Sequence, residues 1–525
     1  MSANPTESPI AFVPPPARPQ KITESVVIGK DVLELITGAM YVDPLTIYRE
    51  YIQNAADSID EAKVQGLYDG SASPRIEIHL DQAERSIRVR DNGAGVPGNE
   101  FVSRLSAIGG SQKRGRRQRG FRGVGRLSGL GYAQDVIFRS RAPGDAKVLE
   151  IHWSGRRLRE VLRDPKFAGN LEMTIKEVAE VLIQPGVGWP QHFFEVELRR
   201  VTRVRNDLLL NPDEIRSYLS QVAPVPFAPY FRLGNEIAEH LKAHGIDPGL
   251  HIQVSGDDTP IYRPFRDNFK VTESVEDGFA SVEFLQIPGN EGEVDAIGWV
   301  LHHSYFGALP RALGVSGLRA RSGNIQVGNA NVFEALFTEP RFNSWCVGEI
   351  HVLTNRVVPN GRRDDFEMNA HHQHLISHAS ALAGRISKEC RDRSILRNRL
   401  RQAREIFEDG LARLAIVNEK TVTQPVRLHY KETVAASIEK LERLAKFEGK
   451  FTDEERALIA KKAEDLRLRL SEARPASGRS TLSFLPDRKR KLFLEMLSMV
   501  LEACDSPEQG ATIAKRIIDQ AKRLK

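Results

Sequence analysis

Apolar positions change period several times along the chain, and each change marks an element. From Asp43 to about Gln65, Ile47, Tyr51, Ile52, Ala55 and Ile59 recur at helical spacing and predict one amphipathic helix. The period then shortens. Ile76, Ile78 and Leu80 alternate with polar residues, as do Ile87 and Val89 beyond a polar turn at 81–86, which predicts a hairpin. Residues 92–131 are glycine-rich and basic and carry no core pattern. Alternation returns at 135–138 and 193–198. A helix, strands, a glycine-rich loop and further strands predict an α/β layer ending near residue 205. A second α/β region is expected from about Asn211, where Asn-Pro-Asp-Glu reads as a helix start. It holds strand-like stretches at 251–254, 281–287, 296–302 and 349–353, and ends near Phe366. Beyond it, residues 371–525 read as helical, with long amphipathic stretches at 433–447 and 453–473. The ordinary reading of such a tail is a packing or dimerisation element. Ahead of all this, residues 1–21 are rich in proline and poor in large apolar residues, as in a flexible leader. The expected organisation is therefore 1–21 leader, 22–205 first α/β domain, 206–370 second α/β domain and 371–525 helical region.

Composition narrows the class. The chain has 525 residues, 41% of them hydrophobic, so it can bury large cores and is not globally disordered. Its 75 Lys and Arg against 69 Asp and Glu leave +6, which excludes a histone-like carpet of charge but not a local patch. Cys346, Cys390 and Cys504 are too scattered for a disulfide framework or a paired-cysteine zinc site, which favours a reducing compartment. No run of about 18 apolar residues is present, so no membrane span is expected. These features together predict a cytoplasmic protein.

Three segments carry candidate chemistry. On the first helix, Glu50, Asn54 and Asp57 are spaced i, i+4, i+7 and share a face. A solvated polar stripe is the bland alternative. The sharper one is a carboxylate able to take a proton from water, beside an amide oxygen suited to Mg²⁺. The second segment is Asp91-Asn92-Gly93-Ala94-Gly95, directly after the Ile87/Val89 strand. If Ile87 and Val89 face the core, so does Asp91, and a buried carboxylate needs donors such as the adenine amine. A simple turn would not need an inward Asp. Gly93 and Gly95 would let backbone approach a flat ring. The third is Gly120-Phe-Arg-Gly123-Val124-Gly125, ahead of a plausible helix start, where backbone N–H groups could cradle phosphate. Around it, residues 111–126 contain Lys113 and six arginines with no acidic residue, seven positive charges against a whole-chain excess of +6.

The ordered set ExxxNAxD, DNGxG, GxxGxG resembles the ATP-binding domain shared by Hsp90, DNA gyrase B, histidine kinases and MutL, the GHKL superfamily, over roughly residues 22–205. The resemblance implies a Bergerat-type α/β sandwich that binds ATP and Mg²⁺. It implies that Glu50 activates the attacking water, Asn54 holds Mg²⁺, and Asp91 meets the adenine amine with Gly95 beside the base. Asp57 and Gly93 would complete the nucleotide pocket. Gly120, Gly123, Val124 and Gly125 would wrap the phosphates, with Lys113 as a further contact. A threonine common before a late strand in the family is missing, and Gly188-Trp-Pro-Gln-His192 stands there. In the second domain, Val358-Pro-Asn360-Gly-Arg362-Arg363-Asp364 resembles the Asn-x-x-Arg-Glu segment of the Hsp90 middle domain. That likeness makes Arg363, with Arg362 as fallback, the cation for the γ-phosphate; neutralising Asp364 and Asp365 within the fold is the competing reading. The Hsp90-like branch implies slow ATP hydrolysis, a homodimer and a protein client. MutL- or MORC-type clamps are the alternative, with nucleic acid at segment 111–126. The histidines at 371, 372, 374 and 378 read as a solvated cluster rather than a metal site.

Overall fold

The computed structural model describes residues 30, 33, 43–68, 73–108, 125–167, 169–247, 249–255, 257, 259–273, 275–447, 451–475 and 481–523. The chain divides into two compact units: residues 1–225 with 250–261, and residues 226–249 with 262–525.

The first unit is an α/β layer. Helix α1 (Thr46–Val64) buries Ile47, Tyr51, Ile52, Ala55 and Ile59, the stripe its spacing predicts. The hairpin follows as β1 (Arg75–Asp81) and β2 (Ser86–Asp91), paired Ile78 to Val89 and Leu80 to Ile87. After α2 (Gly98–Ser106) come β3 (Asp135–Arg141), β4 (Lys147–Ser154), α3 (Gly155–Arg163), α4 (Leu171–Val178), β5 (Ala179–Pro185), β6 (Phe193–Arg199) and α5 (Pro212–Val222). Asn211 caps α5 through its side chain, with Pro212 in the first turn, as the sequence Asn-Pro-Asp-Glu predicts. One sheet face packs under α1, where Val89, Val196 and Leu198 share a core with Tyr51 and Ala55. The other carries charge: Arg139 reaches Glu150 at 2.6 Å, Glu195 at 2.8 Å and Glu197 at 2.6 Å.

The expected boundary at residue 205 falls inside this unit. Helix α5 belongs to it, and so does β7 (His251–Val254), which sequence reading places in the second region. The seven strands run β5-β4-β3-β6-β2-β1-β7, antiparallel throughout except where β7 joins β1 in parallel, Ile76 beside Ile252 and Ile78 beside Val254. The reason is burial: Ile252 and Val254 have their apolar partners in the first core.

The second unit contains α6 (Gly234–Ala243), a small ribbon of β8 (Asn268–Lys270) and β9 (Glu276–Gly278), and a five-stranded sheet. Its strands are β10 (Ser281–Pro288), β11 (Val294–His302), β12 (Gly317–Ser322), β13 (Ile325–Val327) and β14 (Val347–Val352), in the order β10-β11-β14-β12-β13. Alternate residues of β11 serve two cores. Ile297, Trp299 and Leu301 meet Phe227, Phe231 and Ile237 on one side; Ala296 and Val300 face the other. That other side is covered by α7 (Ala370–Asn418), a helix of 49 residues. Its first half sends Leu375, Ala379, Leu382 and Ile386 into the sheet core; its second half sends Leu396, Ala403 and Leu414 into a separate helical core. The expected junction at 370/371 is therefore the start of a helix shared by both layers rather than a break. Helices α8 (Gln424–Ala445), α9 (Asp453–Glu472), α10 (Asp487–Glu502) and α11 (Pro507–Arg523) complete the unit. A capping box joins Thr452 and Glu455 at the start of α9.

Candidate functional site

Helix phase buries one carboxyl group of the first unit and strand phase buries another. Glu50 lies on α1, is 8% exposed, and has Arg49 at 3.6 Å. Asn54 is half-buried and Asp57 buried. The Glu50 carboxylate lies against Gly125, which opens a short 3₁₀ stretch, Gly125–Gly131. A Cβ on Gly125 would stand 2.1 Å from the Glu50 Oε2 atom. Only glycine lets the end of this loop approach that carboxylate so closely.

Asp91 completes the alternation of β2: Ile87, Val89 and Asp91 are all buried on one face. Its Oδ1 accepts from the Gly93 amide at 2.9 Å. Burial pushes its carboxyl up from 3.8 to about 7, while the Gly93 amide, the Ser58 hydroxyl and the Phe194 amide pull it down. At neutral pH this group is poised between acid and acceptor. The neighbouring turn is built tightly. A Cβ on Gly93 would lie 2.2 Å from the Ser58 Oγ, and Gly95, at φ +67°, has the Arg141 carbonyl 2.2 Å from its Cβ position. The His192 ring holds the Gly93 carbonyl through Nδ1 at 2.7 Å. The Ser140 hydroxyl accepts from the Val96 amide at 2.7 Å.

Ser58 and His192 are neighbours that the sequence reading missed. Ser58 follows Asp57 on the same helix face as Glu50 and Asn54, so the i, i+4, i+7 pattern extended by one residue would have found it. His192 has no such signal, because its contact spans 99 positions.

Lys113, Gly120, Gly123 and Val124 lie outside the described residues; of segment 111–126 only Gly125 and Arg126 are described. Arg126 is half-buried, donates to the Ala107 carbonyl, and is lowered to about 10 by desolvation.

Arg363 belongs to the second unit. It is 6% exposed and left-handed at φ +56°, whereas Arg362 is exposed. Its carbonyl accepts from Gly328 at 2.8 Å and its amide donates to the Asn360 carbonyl at 3.1 Å. Asn360 also bonds the Asp364 carboxylate at 2.6 Å. A non-glycine residue in this conformation costs about 1–2 kcal/mol, so the surrounding bonds over-determine the turn. In the same unit His374 bonds the Pro288 carbonyl at 2.9 Å and meets the His378 ring edge-on, with centroids 4.7 Å apart. Among the described residues no group of three or more His, Cys, Asp or Glu could hold a metal ion.

Residues 47–164 match the family described as histidine kinase-, DNA gyrase B-, and HSP90-like ATPase. The first unit carries a GHKL ATPase domain of the Hsp90-like branch. Among curated proteins, the chain is similar to "Chaperone protein HtpG" of Polaromonas naphthalenivorans, 27% identical over 139 residues, covering 23% of this chain and 22% of that protein. It is similar to the protein of the same description from Acinetobacter baylyi, 30% identical over 130 residues, 22% of this chain and 20% of that protein. The Salmonella paratyphi A protein of that description is 28% identical over 141 residues, 24% of this chain and 23% of that protein. The chain thus spans about a fifth of the length of the curated relatives it matches. In this GHKL domain, the carboxyl on α1 and the carboxyl at the end of β2 are the two groups on which the expected chemistry depends. The described helices include none long and apolar enough to cross a membrane.

Proposed function

We propose that the protein binds and slowly hydrolyses ATP and couples that cycle to remodelling of a protein partner, as a cytoplasmic homodimer. The observation that carries this reading is the pairing of Glu50 with Gly125, a buried carboxylate against the last glycine of the candidate phosphate loop. Phosphates gathered by that loop would lie next to the buried Glu50 carboxylate, one turn of α1 from Asn54. Glu50 orients the attacking water and takes its proton. Asp91, already met by the Gly93 amide, accepts from the adenine amine, and Asp57 and Ser58 shape the wall beside it. The donor set fits Mg²⁺ held through one protein oxygen, since that ion keeps several waters and uses substrate phosphates as ligands. Asn54 would hold it, and the bound ion would supply positive charge to the phosphates. Lys113 and the glycines at 120, 123 and 125 would close over them with Val124. Arg363 would bring the last positive charge from the second unit, so chemistry awaits closure and turnover is slow.

Glu50→Ala tests the assignment. Nucleotide binding, measured by calorimetry, is expected to stay within about threefold of wild type, while phosphate release falls by about 10²-fold or more. Wild-type turnover in Glu50→Ala ends the catalytic role. A second reading, a nucleotide-gated clamp on nucleic acid, rests on the seven positive charges of segment 111–126. Duplex DNA binding that weakens steeply with salt, with and without a nonhydrolysable ATP analogue, would favour it.

A further inference from the structure

Two segments of the first unit concentrate arginine at its surface. Helix α3 and the turn after it, residues 155–167, hold Arg156, Arg157, Arg159, Arg163 and Lys166 against Glu160 and Asp164. The end of β6 and the stretch after it, residues 199–207, hold Arg199, Arg200, Arg203 and Arg205 against Asp207. Each segment has a surplus of three positive charges, so together they equal the +6 of the whole chain. All nine cations are exposed.

The two segments form one surface. Leu158 and Val161 hold α3 against the core, which leaves Arg156, Arg159, Glu160 and Arg163 on the opposite face. Arg156 donates its amide to the Gln134 carbonyl at 3.1 Å, and the Arg159 guanidinium reaches the Leu130 and Ala133 carbonyls at 3.4 and 3.5 Å. Gln134 also donates its amide to the Arg199 carbonyl at 3.1 Å and accepts from the Arg200 guanidinium at 3.5 Å, while the Thr202 amide bonds the Tyr132 carbonyl at 2.7 Å. Residues 130–134 are thus the seam along which both basic segments lie. Pairing within the fold takes up only part of the charge. Arg156 and Arg157 share Glu160 at 3.2 and 3.5 Å, and Arg157 also meets Glu177 of α4 at 3.2 Å. Glu197 holds Arg199 at 3.0 Å, and Asp135 holds Arg200 at 3.4 Å. Asp207 lies 2.7 Å from Arg85 and 4.0 Å from Arg203. Arg159, Arg163 and Arg205 make no ion pair among the described residues.

Two local costs go with this surface. Helix α3 opens on Arg156 and Arg157 with no acid in its first turn, against the preference of the helix dipole. Arg200 and Arg205 stand at φ +52° and +43°, where a non-glycine residue costs about 1–2 kcal/mol, and neither side chain is buried to offset it. We propose that this face docks duplex DNA, with α3 along the major groove and residues 199–205 on the flanking phosphates. An exposed helix face lined with arginine fits that groove, which is about 12 Å wide. The deep, narrow groove of duplex RNA excludes side chains. Single strands call for aromatic stacking platforms, and no Phe, Tyr or Trp described in the first unit is exposed. A protein partner calls for an apolar contact core, and no exposed large apolar side chain is described in either segment. The proposal rests on neither ATP hydrolysis nor segment 111–126.

Fluorescence anisotropy of a labelled DNA duplex of about 24 base pairs, with the full chain and no nucleotide, tests it; a dead ATPase would leave every one of these readings in place. With about four to six phosphates neutralised, affinity is expected to fall about 10²–10³-fold between 50 and 200 mM salt, and two unrelated sequences should bind within about threefold of each other. Arg163→Ala and Arg203→Ala are each expected to weaken binding about threefold or more and to flatten the salt slope by about one. Arg205→Gly should do the same while Tm holds or rises, because the left-handed backbone is no longer strained. Phosphate release should stay within about twofold of wild type in all three. Loss of binding on replacing Lys113, Arg114, Arg116, Arg117 and Arg119 by serine, with the three variants binding as wild type, would move the contact to that loop and overturn the proposal. No binding at 50 mM salt, equal affinity for duplex RNA or for a single strand, or full competition by polyglutamate at equal charge would each overturn it as well.

Discussion

Asp91 shows how a single buried carboxyl can report on its ligand. Its folded value near 7 lies above the ordinary 3.8 because burial disfavours the charge more than Gly93, Ser58 and Phe194 compensate. The unfolded chain gives up this proton first, so between about 4 and 7 the unfolded state binds fewer protons and rising pH removes stability. A donor from the adenine amine acts in the opposite sense, since it stabilises the ionised form. Nucleotide binding at saturating Mg²⁺ should therefore tighten as pH rises from 6 to 8, by several-fold, with proton uptake by the buffer seen in calorimetry. Asp91→Asn should abolish binding at every pH. A flat pH profile in wild type would remove Asp91 from the adenine pocket. The inward aim of this residue was legible from the phase of Ile87 and Val89 alone. Its value was not, because Phe194 and Ser58 reach it through strand pairing and helix packing that no local pattern encodes.

At the scale of elements, the glycines divide into those the fold needs and those the site needs. Gly95 combines a positive φ with a backbone carbonyl 2.2 Å from its Cβ position, so neither neighbour can yield. Gly125 has no left-handed φ, and the three described atoms nearest its Cβ position all belong to the Glu50 side chain, Oε2 first at 2.1 Å. Gly95→Ala is expected to lower Tm by several degrees, consistent with a cost of about 1–3 kcal/mol for strain of this kind. Gly125→Ala should leave Tm within about 1–2 °C, as expected for a loss well under 1 kcal/mol, yet displace Glu50 and cut phosphate release by about tenfold or more. Gly188→Ala, at φ +83° but in open space, separates backbone strain from crowding. Equal loss of Tm in the Gly95 and Gly125 variants would refute the distinction. Elements with a strong local period, α1 and the β1–β2 hairpin, could be read from sequence. The pairing of β7 with β1 could not, because it crosses 176 positions, as between Arg75 and His251, and its four residues give no clue to which sheet they join. Nor could the length of α7, whose two halves serve different cores and so show no single apolar stripe.

At the scale of the whole molecule, the proposed function asks a site in one unit to use an arginine of the other. Arg363 is held in a left-handed turn by bonds to Gly328 and Asn360 and is buried, while Arg362 beside it is exposed. If the two units work as one ATPase, one of these cations must meet charge that exists in ATP and not in ADP. The strained turn singles out Arg363, because strain of this order persists only where surroundings enforce it. Arg363→Ala, with Arg362 intact, is expected to lower the maximal rate of phosphate release by about 10²–10³-fold, the usual cost of removing a fixed cation from a developing phosphoryl charge. ADP affinity should stay unchanged, since ADP lacks the γ-phosphate. Arg363→Lys retains charge without the planar fork and should recover only part of the rate. Arg362→Ala should leave turnover within about twofold, in line with a screened surface charge. A structural role for Arg363 would instead lower Tm and weaken ATP and ADP alike, and full turnover in Arg363→Ala would leave the first unit to hydrolyse ATP by itself.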